Sequence, residues 1–145
     1  KTGSHREEGY ADGLRAAGIE PDPAWLFRGE NAVQTGATGL SHLLTLPEAQ
    51  RPTAVACVSD LIAVGVMNAA AAAGLVVGHD LAVTGYDDSS LAQFLHPPLT
   101  SVRQPIAAVG RYLVEALLAQ IRHDPAPAGV LLEPELVVRA SSGGN

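Results

Sequence analysis

The stretch LAVTGYDDSSLAQFLHPPLTSVRQ, at residues 81–104, decides the fold of this chain. It opens with a short apolar run that predicts a strand buried on both faces, and Gly85 ends that run where the backbone must turn sharply. Two adjacent carboxylates, Asp87 and Asp88, follow directly after Tyr86. Because open α/β sheets bind ligands beyond the carboxyl ends of their strands, this acidic turn is the first candidate for a binding site.

The charge balance limits what the chain can bind. Nine Lys and Arg residues stand against fifteen Asp and Glu residues, for a net charge of -6. Such a chain is not expected to contact nucleic acid phosphates, so any DNA-binding part should lie elsewhere in the protein. The chain enters a predicted helix almost at once, which indicates a fragment whose natural amino terminus lies upstream. No run approaches the roughly 18 apolar residues of a membrane span, so no membrane association is predicted.

The apolar residues predict the character of the core. Aromatic residues make up 4% of the chain although 47% of it is hydrophobic, so the core should consist mainly of Ala, Val and Leu, as is common in helix-covered parallel sheets. The single cysteine, Cys57, lies in an apolar run and is interpreted as a buried structural thiol. The five His residues are scattered without metal-ligand spacing, so neither a metal nor a cofactor is expected.

Strands and helices alternate along the chain. The spacing of apolar residues and the positions of Gly and Pro predict helices over residues 4–17, 33–46, 60–73, 89–95 and 105–121. Short apolar runs predict strands over residues 25–27, 53–58, 81–86, 99–104, 130–132 and 136–138. Asp60 is the expected N-cap of the third helix, and Asp88 the expected cap of the short fourth one. This alternation predicts an α/β fold with an open parallel sheet flanked by helices.

Polar residues follow three of the predicted strands. Asn31, Ser59 and Asp87 each come shortly after a strand ends. Because the carboxyl ends of parallel strands meet at one edge of a sheet, these side chains are expected to lie close together. Three converging loops indicate a ligand site more strongly than any single motif does.

Short motifs that span nearly the whole chain carry a resemblance to a known family. They are REEGY at residues 6–10, PTAV at 52–55, SDLIA at 59–63, VTGYDD at 83–88, PPLTSVRQP at 97–105 and LVVR at 136–139. The chain resembles the carboxyl-terminal half of the effector-binding core of LacI/GalR transcription regulators, which is similar to type I periplasmic sugar-binding proteins. The combination of GYDD with PPLT and RQP at this distance is the most specific part of the resemblance.

The resemblance implies two subdomains with an effector cleft between them. Residues 1–103 and 135–142 would form the carboxyl-terminal effector-binding subdomain, residues 106–132 a remnant of the amino-terminal subdomain, and residues 143–145 a tail. Most of the amino-terminal subdomain, and the helix-turn-helix that contacts operator DNA, would lie upstream. The helix at 105–121 then lacks its usual sheet. Because burial of a Leu, Ile or Val side chain is worth roughly 1.5 to 3 kcal/mol, this helix is expected to pack elsewhere or to pair with another chain.

The resemblance also assigns the principal effector contacts to Arg6, Asn31, Ser59 and Asp87. Arg6 and Asp87 match the family pattern, and a guanidinium and a carboxylate can hydrogen-bond vicinal sugar hydroxyls in pairs. Asn31 stands where family members often have an aromatic residue, and Ser59 where many have Asn. Without the resemblance, Arg6 would be interpreted as a solvent-exposed residue near the start of a helix.

One set of apolar residues admits two interpretations. Its members could be plain core, or they could form part of a homodimer surface, as the resemblance implies: Leu61, Val64, Met67, Phe94 and Leu95. The sequence leaves both interpretations open.

Together these features predict the effector-binding and dimerisation part of a cytoplasmic LacI-type regulator, with a sugar or a related small polar metabolite as its effector. The alternative is a periplasmic-type sugar-binding protein without DNA binding, and the upstream sequence would distinguish the two. An enzyme or phospho-receiver built on Asp87 and Asp88 is not expected, because no Lys follows on a later strand and no His stands beside a candidate nucleophile. No catalytic residue is therefore assigned.

Overall fold

The computed structural model describes residues 2–125 and 129–143. Four α-helices lie in this part of the chain: α1 (Thr2–Ala16), α2 (Val33–Leu44), α3 (Asp60–Ala72) and α4 (Ile106–Arg122). Four strands form one sheet: β1 (Ala54–Ala56), β2 (Ala82–Tyr86), β3 (Thr100–Arg103) and β4 (Glu135–Val137). These elements follow the predicted order, although most strands are shorter than predicted.

The strands are ordered β1-β2-β3-β4 across the sheet. β1, β2 and β3 are parallel, with Val55 opposite Val83 and Gly85 opposite Ser101. β4 runs antiparallel to β3, because the chain returns from α4 in the opposite direction. The predicted open α/β sheet is confirmed, and only its last strand departs from parallel pairing. The carboxyl ends of β1, β2 and β3 consequently share one edge.

The helices pack on the sheet through small residues. α3 packs against β2, and α2 packs against α3. Gly36 and Gly65 allow the two helix backbones to approach closely, since a Cβ atom on Gly36 would lie 2.0 Å from the Ile62 carbonyl oxygen. The buried core is built mostly from Ala, Val and Leu, as the composition predicts: Leu40, Cys57, Ala63, Val66, Met67, Ala70, Leu81, Val83, Ala92 and Leu99.

The strand predicted at residues 25–27 is not formed in the described structure. A 3-10 turn (Pro23–Trp25) occupies its start, and the Asp22 carboxylate caps that turn by accepting a hydrogen bond from Ala24 N at 2.8 Å. Apolar character alone does not make a strand, because the backbone groups also need a paired neighbour. β1 is therefore the edge strand of the described sheet, and it is largely exposed.

α4 lies outside the packed core. Its apolar stripe is more than half exposed at Ile106, Leu113, Leu117 and Ile121. Residues 130–132, predicted as a strand, adopt no regular structure, and Leu131 is 95% exposed because no strand lies beside it among the described residues. This helix is expected either to pack elsewhere or to pair with another chain. In the described structure it does not bury its apolar stripe elsewhere within the chain. Pairing with a surface outside the chain stays a prediction.

A buried hydroxyl fixes the segment after β4 to the sheet. Ser141 is fully buried, and its Oγ accepts a hydrogen bond from Thr100 N at 2.8 Å and donates one to Val83 O at 2.6 Å. Thr100 Oγ1 in turn donates to Arg139 O at 2.9 Å and accepts from Arg139 N at 2.7 Å. The segment after β4 is thus tied to both β2 and β3.

Replacing Ser141 by Ala should lower the free energy of unfolding by about 1–3 kcal/mol, because it leaves a buried N–H and a buried C=O without their partner. Urea unfolding followed by circular dichroism measures the difference. Ser90→Ala, at an exposed position, is the matched control and should stay within about 0.5 kcal/mol of wild type. Equal stabilities of the two variants would contradict the contact described for Ser141.

Candidate functional site

The acidic turn after β2 has an unusual backbone. Asp87 has a φ of 107° and Asp88 a φ of 46°, in the left-handed region that disfavours residues with a Cβ atom. Such residues cost roughly 1–3 kcal/mol each and cluster at functional sites. Hydrogen bonds to β3 hold the turn: Asp87 N donates to Val102 O at 2.9 Å, and Asp88 N donates to Ser101 Oγ at 3.0 Å. The Asp87 side chain stays exposed at the sheet edge.

A buried carboxylate supports the turn from the core side. Asp60 is 4% exposed, and its oxygens accept hydrogen bonds from Ser101 Oγ at 2.5 Å and from Ser89 N at 2.6 Å. The prediction that Asp60 caps α3 is wrong. Ser59 is the N-cap, with Oγ accepting from Ile62 N at 3.3 Å. Both residue types favour caps, but the Asp60 carboxylate accepts hydrogen bonds from Ser101 and from Ser89 of the turn instead.

Asp88 lies between two guanidinium groups and does not cap a helix, contrary to the prediction. Its side chain is 6% exposed; Arg103 Nε lies 2.7 Å from Oδ2, and Arg139 Nη1 lies 2.7 Å from Oδ1. The Arg103 contact is a hydrogen bond, whereas the Arg139 N–H is not aimed at the oxygen and forms an ion pair only. Two cations hold the carboxylate, and the 3-10 turn after it (Ala92–Phe94) has no side-chain cap.

The pKa of Asp88 lies below its ordinary value. Burial raises this pKa, but the contacts with Arg139 and Arg103 lower it by more. A carboxyl group whose pKa is lower in the folded state stabilises the fold above its unfolded pKa of about 3.9, and this contribution is lost as the pH falls through the folded pKa.

Acidification below about pH 4 should therefore reduce the free energy of unfolding, and it should do so less in Asp88→Asn than in wild type. Asparagine keeps the shape of the side chain but has no charge to lose on protonation. Urea titrations at several pH values measure the effect. The same acid sensitivity in both proteins would show that Asp88 is not paired as described.

Arg6 is held at the same edge of the sheet by α1. Its guanidinium carbon lies 3.7 Å from the centre of the Tyr86 ring, a cation–π contact, and Nη1 donates a hydrogen bond to Val58 O. An ion pair of 2.6 Å between Arg28 and Glu7 ties α1 to the segment before α2. Arg6 is thus fixed beside the carboxyl ends of β1 and β2.

Asn31 and Ser59 meet at this edge although no strand precedes Asn31 in the described structure. Ser59 Oγ donates to Asn31 Oδ1 at 2.5 Å and accepts from Ile62 N, so this hydroxyl has no proton left to donate to a ligand. The Asn31 side-chain NH2 makes no hydrogen bond to any residue in the described part of the chain. Asn31 can therefore donate to a ligand, while Ser59 orients it.

Asp87 also pairs with a residue on the connection from β3 to α4. Gln104 Nε2 donates to Asp87 Oδ1 at 2.8 Å, which leaves Oδ2 available as an acceptor. Neither Gln104 nor Tyr86 is among the contacts predicted from the sequence. The signals for them are the place of Gln104 in the RQP motif and that of Tyr86 at the carboxyl end of a buried strand.

Two cavities flank this polar edge. One, of about 510 Å³, runs along the outer edge of β1 and has mainly apolar walls from α1, α2 and residues 25–29, with Arg6 among its lining residues. The other, of about 210 Å³, lies beside the connection to α4 and is lined by Tyr86, Gln104, Pro105, Val109, Val130, Leu132 and Pro134. Because Arg6 stacks on Tyr86, the polar edge lies between the two cavities.

The five apolar residues that could be either core or homodimer surface lie partly at the surface and partly in the core. Leu61 and Phe94 are 46% and 75% exposed, whereas Met67 is buried in the core. Val64 and Leu95 are half-buried, and Leu95 packs against the core.

Cys57 is buried as predicted, and burial together with the charge of Asp60 raises the pKa of its thiol to about 12. Within residues 2–125 and 129–143, no group of three or more His, Cys, Asp or Glu side chains is placed to hold a metal ion. In the same ranges, no helix has the length and apolar character needed to cross a membrane.

Comparisons with known proteins identify the family. Residues 1–142 match the periplasmic binding protein-like domain. The HTH-type transcriptional repressor CytR of Escherichia coli (strain K12) is 39% identical over 139 residues, which are 95% of this chain and 40% of that protein. The ribose operon repressor of Haemophilus influenzae is 41% identical over 138 residues, 94% of this chain and 41% of that protein. The chain thus spans about 40% of the length of these relatives.

Solved structures agree with the sequence relatives. A regulatory protein of the LacI family from Chloroflexus aggregans superposes with a TM-score of 0.87 at 40% identity, over 96% of this chain and 50% of that chain. The complex of the transcriptional regulator CelR with cellobiose superposes with a TM-score of 0.86 at 36% identity, over 96% of this chain and 42% of that chain. The chain therefore belongs to the periplasmic binding protein-like domain family, in the form found in transcription regulators of the LacI type.

Proposed function

We propose that this chain is the effector-binding and dimerisation part of a LacI-type transcription regulator, and that its effector is a sugar or a related small polar metabolite. The observation that carries the proposal is the convergence of Arg6, Asn31 and Asp87 at the carboxyl edge of β1 and β2. A relative named for the ribose operon, and related structures that hold cellobiose or sucrose, support this class of ligand.

The side chains at this edge offer a polyol one hydrogen-bond acceptor and two hydrogen-bond donors. Asp87 Oδ2 accepts from a ligand hydroxyl, while the Arg6 guanidinium and the Asn31 amide donate to others. Hydrogen bonds to charged groups are worth roughly 1.5–3 kcal/mol each, so Asp87 and Arg6 supply most of the affinity. Tyr86 holds Arg6 in place before binding, which reduces the entropy lost when the ligand arrives. Ser59 does the same for Asn31.

The chain supplies one wall of the ligand cleft in this proposal. Residues 1–103 and 135–142 form the carboxyl-terminal subdomain, residues 106–132 belong to the amino-terminal subdomain, and residues 143–145 are a tail. The exposed apolar stripe of α4 supports this division, because an amphipathic helix gains its stability by packing against another apolar surface. The rest of the amino-terminal subdomain would cover α4 and supply the opposite wall.

The regulator would act in the cytoplasm, without catalysis, and would contact operator DNA only through a helix-turn-helix outside this chain. The net charge of -6 supports the absence of DNA contacts here. An effector that binds one relative orientation of the two subdomains more tightly increases the fraction of molecules in that orientation. The affinity of the regulator for DNA would change as a result. The exposed side chains of Leu61 and Phe94 would contact a second copy, with Val64, Met67 and Leu95 supporting that surface from beneath.

Isothermal titration calorimetry of the intact regulator with ribose, cellobiose and sucrose tests this function. At least one of these sugars should bind. The same sugar should bind residues 1–145 about 100-fold more weakly or worse, because the isolated chain offers one wall of the cleft and must order the ligand with fewer contacts. Binding of none of the three would contradict a sugar of this kind as the effector, and undiminished binding by the isolated chain would contradict the cleft with two walls.

A further inference from the structure

Asp88 contacts β3 and the segment that follows β4, the two parts of the chain that lead to and from residues 106–132. Arg103 is the last residue of β3, before the chain leaves for α4, and it pairs in the sheet with Glu135, the first residue of β4. Arg139 follows β4 on the return. One of the two arginines that hold Asp88 therefore lies on the outgoing path of the chain and the other on its return path.

These residues form one connected cluster of charges. Asp88 lies 2.7 Å from both Arg103 Nε and Arg139 Nη1, and Arg103 Nη1 reaches Glu135 Oε2 at 3.2 Å. Arg139 Nη1 also donates to Leu99 O at 2.6 Å. The side chains of Asp88 and Arg139 are only 6% and 17% exposed, so water screens this pair far less than it screens a surface ion pair.

The cluster adjoins the residue proposed to contact the ligand. Asp87 and Asp88 both have left-handed backbone conformations, which persist only where the surrounding structure holds them in place. Asp88 is the member of this pair whose side chain is buried and held by two cations. Any displacement of Asp87 by a ligand therefore acts directly on the anchored neighbour.

We propose that Asp88 is a positioning residue that joins the ligand-contacting turn to β3 and to the segment after β4, so that the turn and these two segments move as one unit. The inference rests on the proposed function in one respect, namely that residues 106–132 belong to a second subdomain whose orientation the effector changes. In the intact regulator, the buried Asp88 cluster would carry a change at Asp87 to β3 and to the segment after β4, which lead to and from that second subdomain.

Hydrogen exchange of the 145-residue chain, measured residue by residue by NMR, tests the inference. In Asp88→Asn the buried Arg139 loses its counter-ion, so the amides of Asp87 and Arg139 should both exchange about tenfold faster or more, although they lie on different elements. The core amide of Ala63 should change by less than about twofold. Asp87→Asn is the matched control, because it removes an equal charge from the same turn. The Asp87 side chain contacts Gln104 and not Arg139, so this variant should leave exchange at Arg139 unchanged.

The outcomes distinguish coupling through Asp88 from a local effect on the turn and from a general loss of stability. Acceleration at Asp87 with Arg139 unchanged would overturn the inference, and so would equal acceleration at Ala63, which reports a general loss of stability. Should Asp88→Asn not fold, Arg103→Gln gives the same test at a half-exposed position. It should speed exchange at both Asp87 and the amides of β4, and wild-type rates there would overturn the inference. No sugar is added, so a failure of sugar binding in the calorimetry would leave these results interpretable.

Discussion

Gly65→Ala is expected to lower the free energy of unfolding by about 3 kcal/mol or more. A Cβ atom on Gly65 would lie 1.9 Å from the carbonyl oxygen of Val33 and 3.0 Å from the backbone nitrogen of Ala37. Both atoms belong to the backbone of α2, which cannot give way as a flexible side chain could. Relief requires α2 and α3 to move apart, and that movement opens the core beneath them. Urea unfolding of the variant and wild type gives the difference directly.

A second helical glycine provides the control for this prediction. An added Cβ atom on Gly110, within α4, meets no heavy atom within 4 Å. Gly110→Ala should therefore raise the free energy of unfolding by about 0.5–1 kcal/mol, because Ala favours the helix more than Gly does. Opposite signs at the two positions are the expected result. A stabilising Gly65→Ala would mean that α2 and α3 do not approach each other as described.

Asp87→Ala in the intact regulator is expected to weaken sugar binding by about 10- to 150-fold, since a hydrogen bond to a charged group is worth roughly 1.5–3 kcal/mol. The exposed carboxylate oxygen would otherwise accept a hydrogen bond from a ligand hydroxyl, and its charge makes that bond a strong one. Calorimetric titration with the sugar that binds wild type measures the loss. Asp12→Ala removes an exposed carboxylate of α1 that pairs with Arg15, and it should change the affinity by less than about twofold. Equal affinities of the two variants would remove Asp87 from the site.

The order of the elements and the polar edge could be predicted because both depend on local signals. The apolar run that ends at Gly85 has the length of a strand, and polar residues after strands fall at one edge of any parallel sheet. The structure brings Arg6, Asn31, Ser59 and Asp87 to that edge. Asn31 arrives there by its bond to Ser59 and not by following a strand.

The partners of buried charges could not be predicted, because they lie far apart in the chain. Asp88 precedes a helical stretch and has the residue type of a cap, but Arg103 and Arg139 reach it from β3 and from the segment after β4. Ser59 and Asp60 are adjacent residues that both favour N-caps, and only the donors Ser101 Oγ and Ser89 N, which lie far from Asp60 in the chain, decide between them. The apolar runs at residues 25–27 and 130–132 lack a neighbouring strand in the described structure, a condition that no local pattern reports.

A glycine within a predicted helix, as in α2 and α3, can indicate either a weak helix or a close contact between two helices. Gly36 weakens the helical pattern in the sequence, because glycine lowers helix propensity. In the structure the missing side chain lets the backbone of α3 come close, and the packing that results offsets the lost propensity. Only the position of the neighbouring helix distinguishes a weak helix from a close contact.

A crystal structure of the intact regulator with its sugar bound tests the proposed site most directly. We expect one ligand hydroxyl within about 3.2 Å of Asp87 Oδ2 and another within about 3.2 Å of the Arg6 guanidinium. A sugar bound elsewhere, for example within the cavity along the outer edge of β1, and in contact with neither residue, would contradict effector binding at the carboxyl edge of β1 and β2.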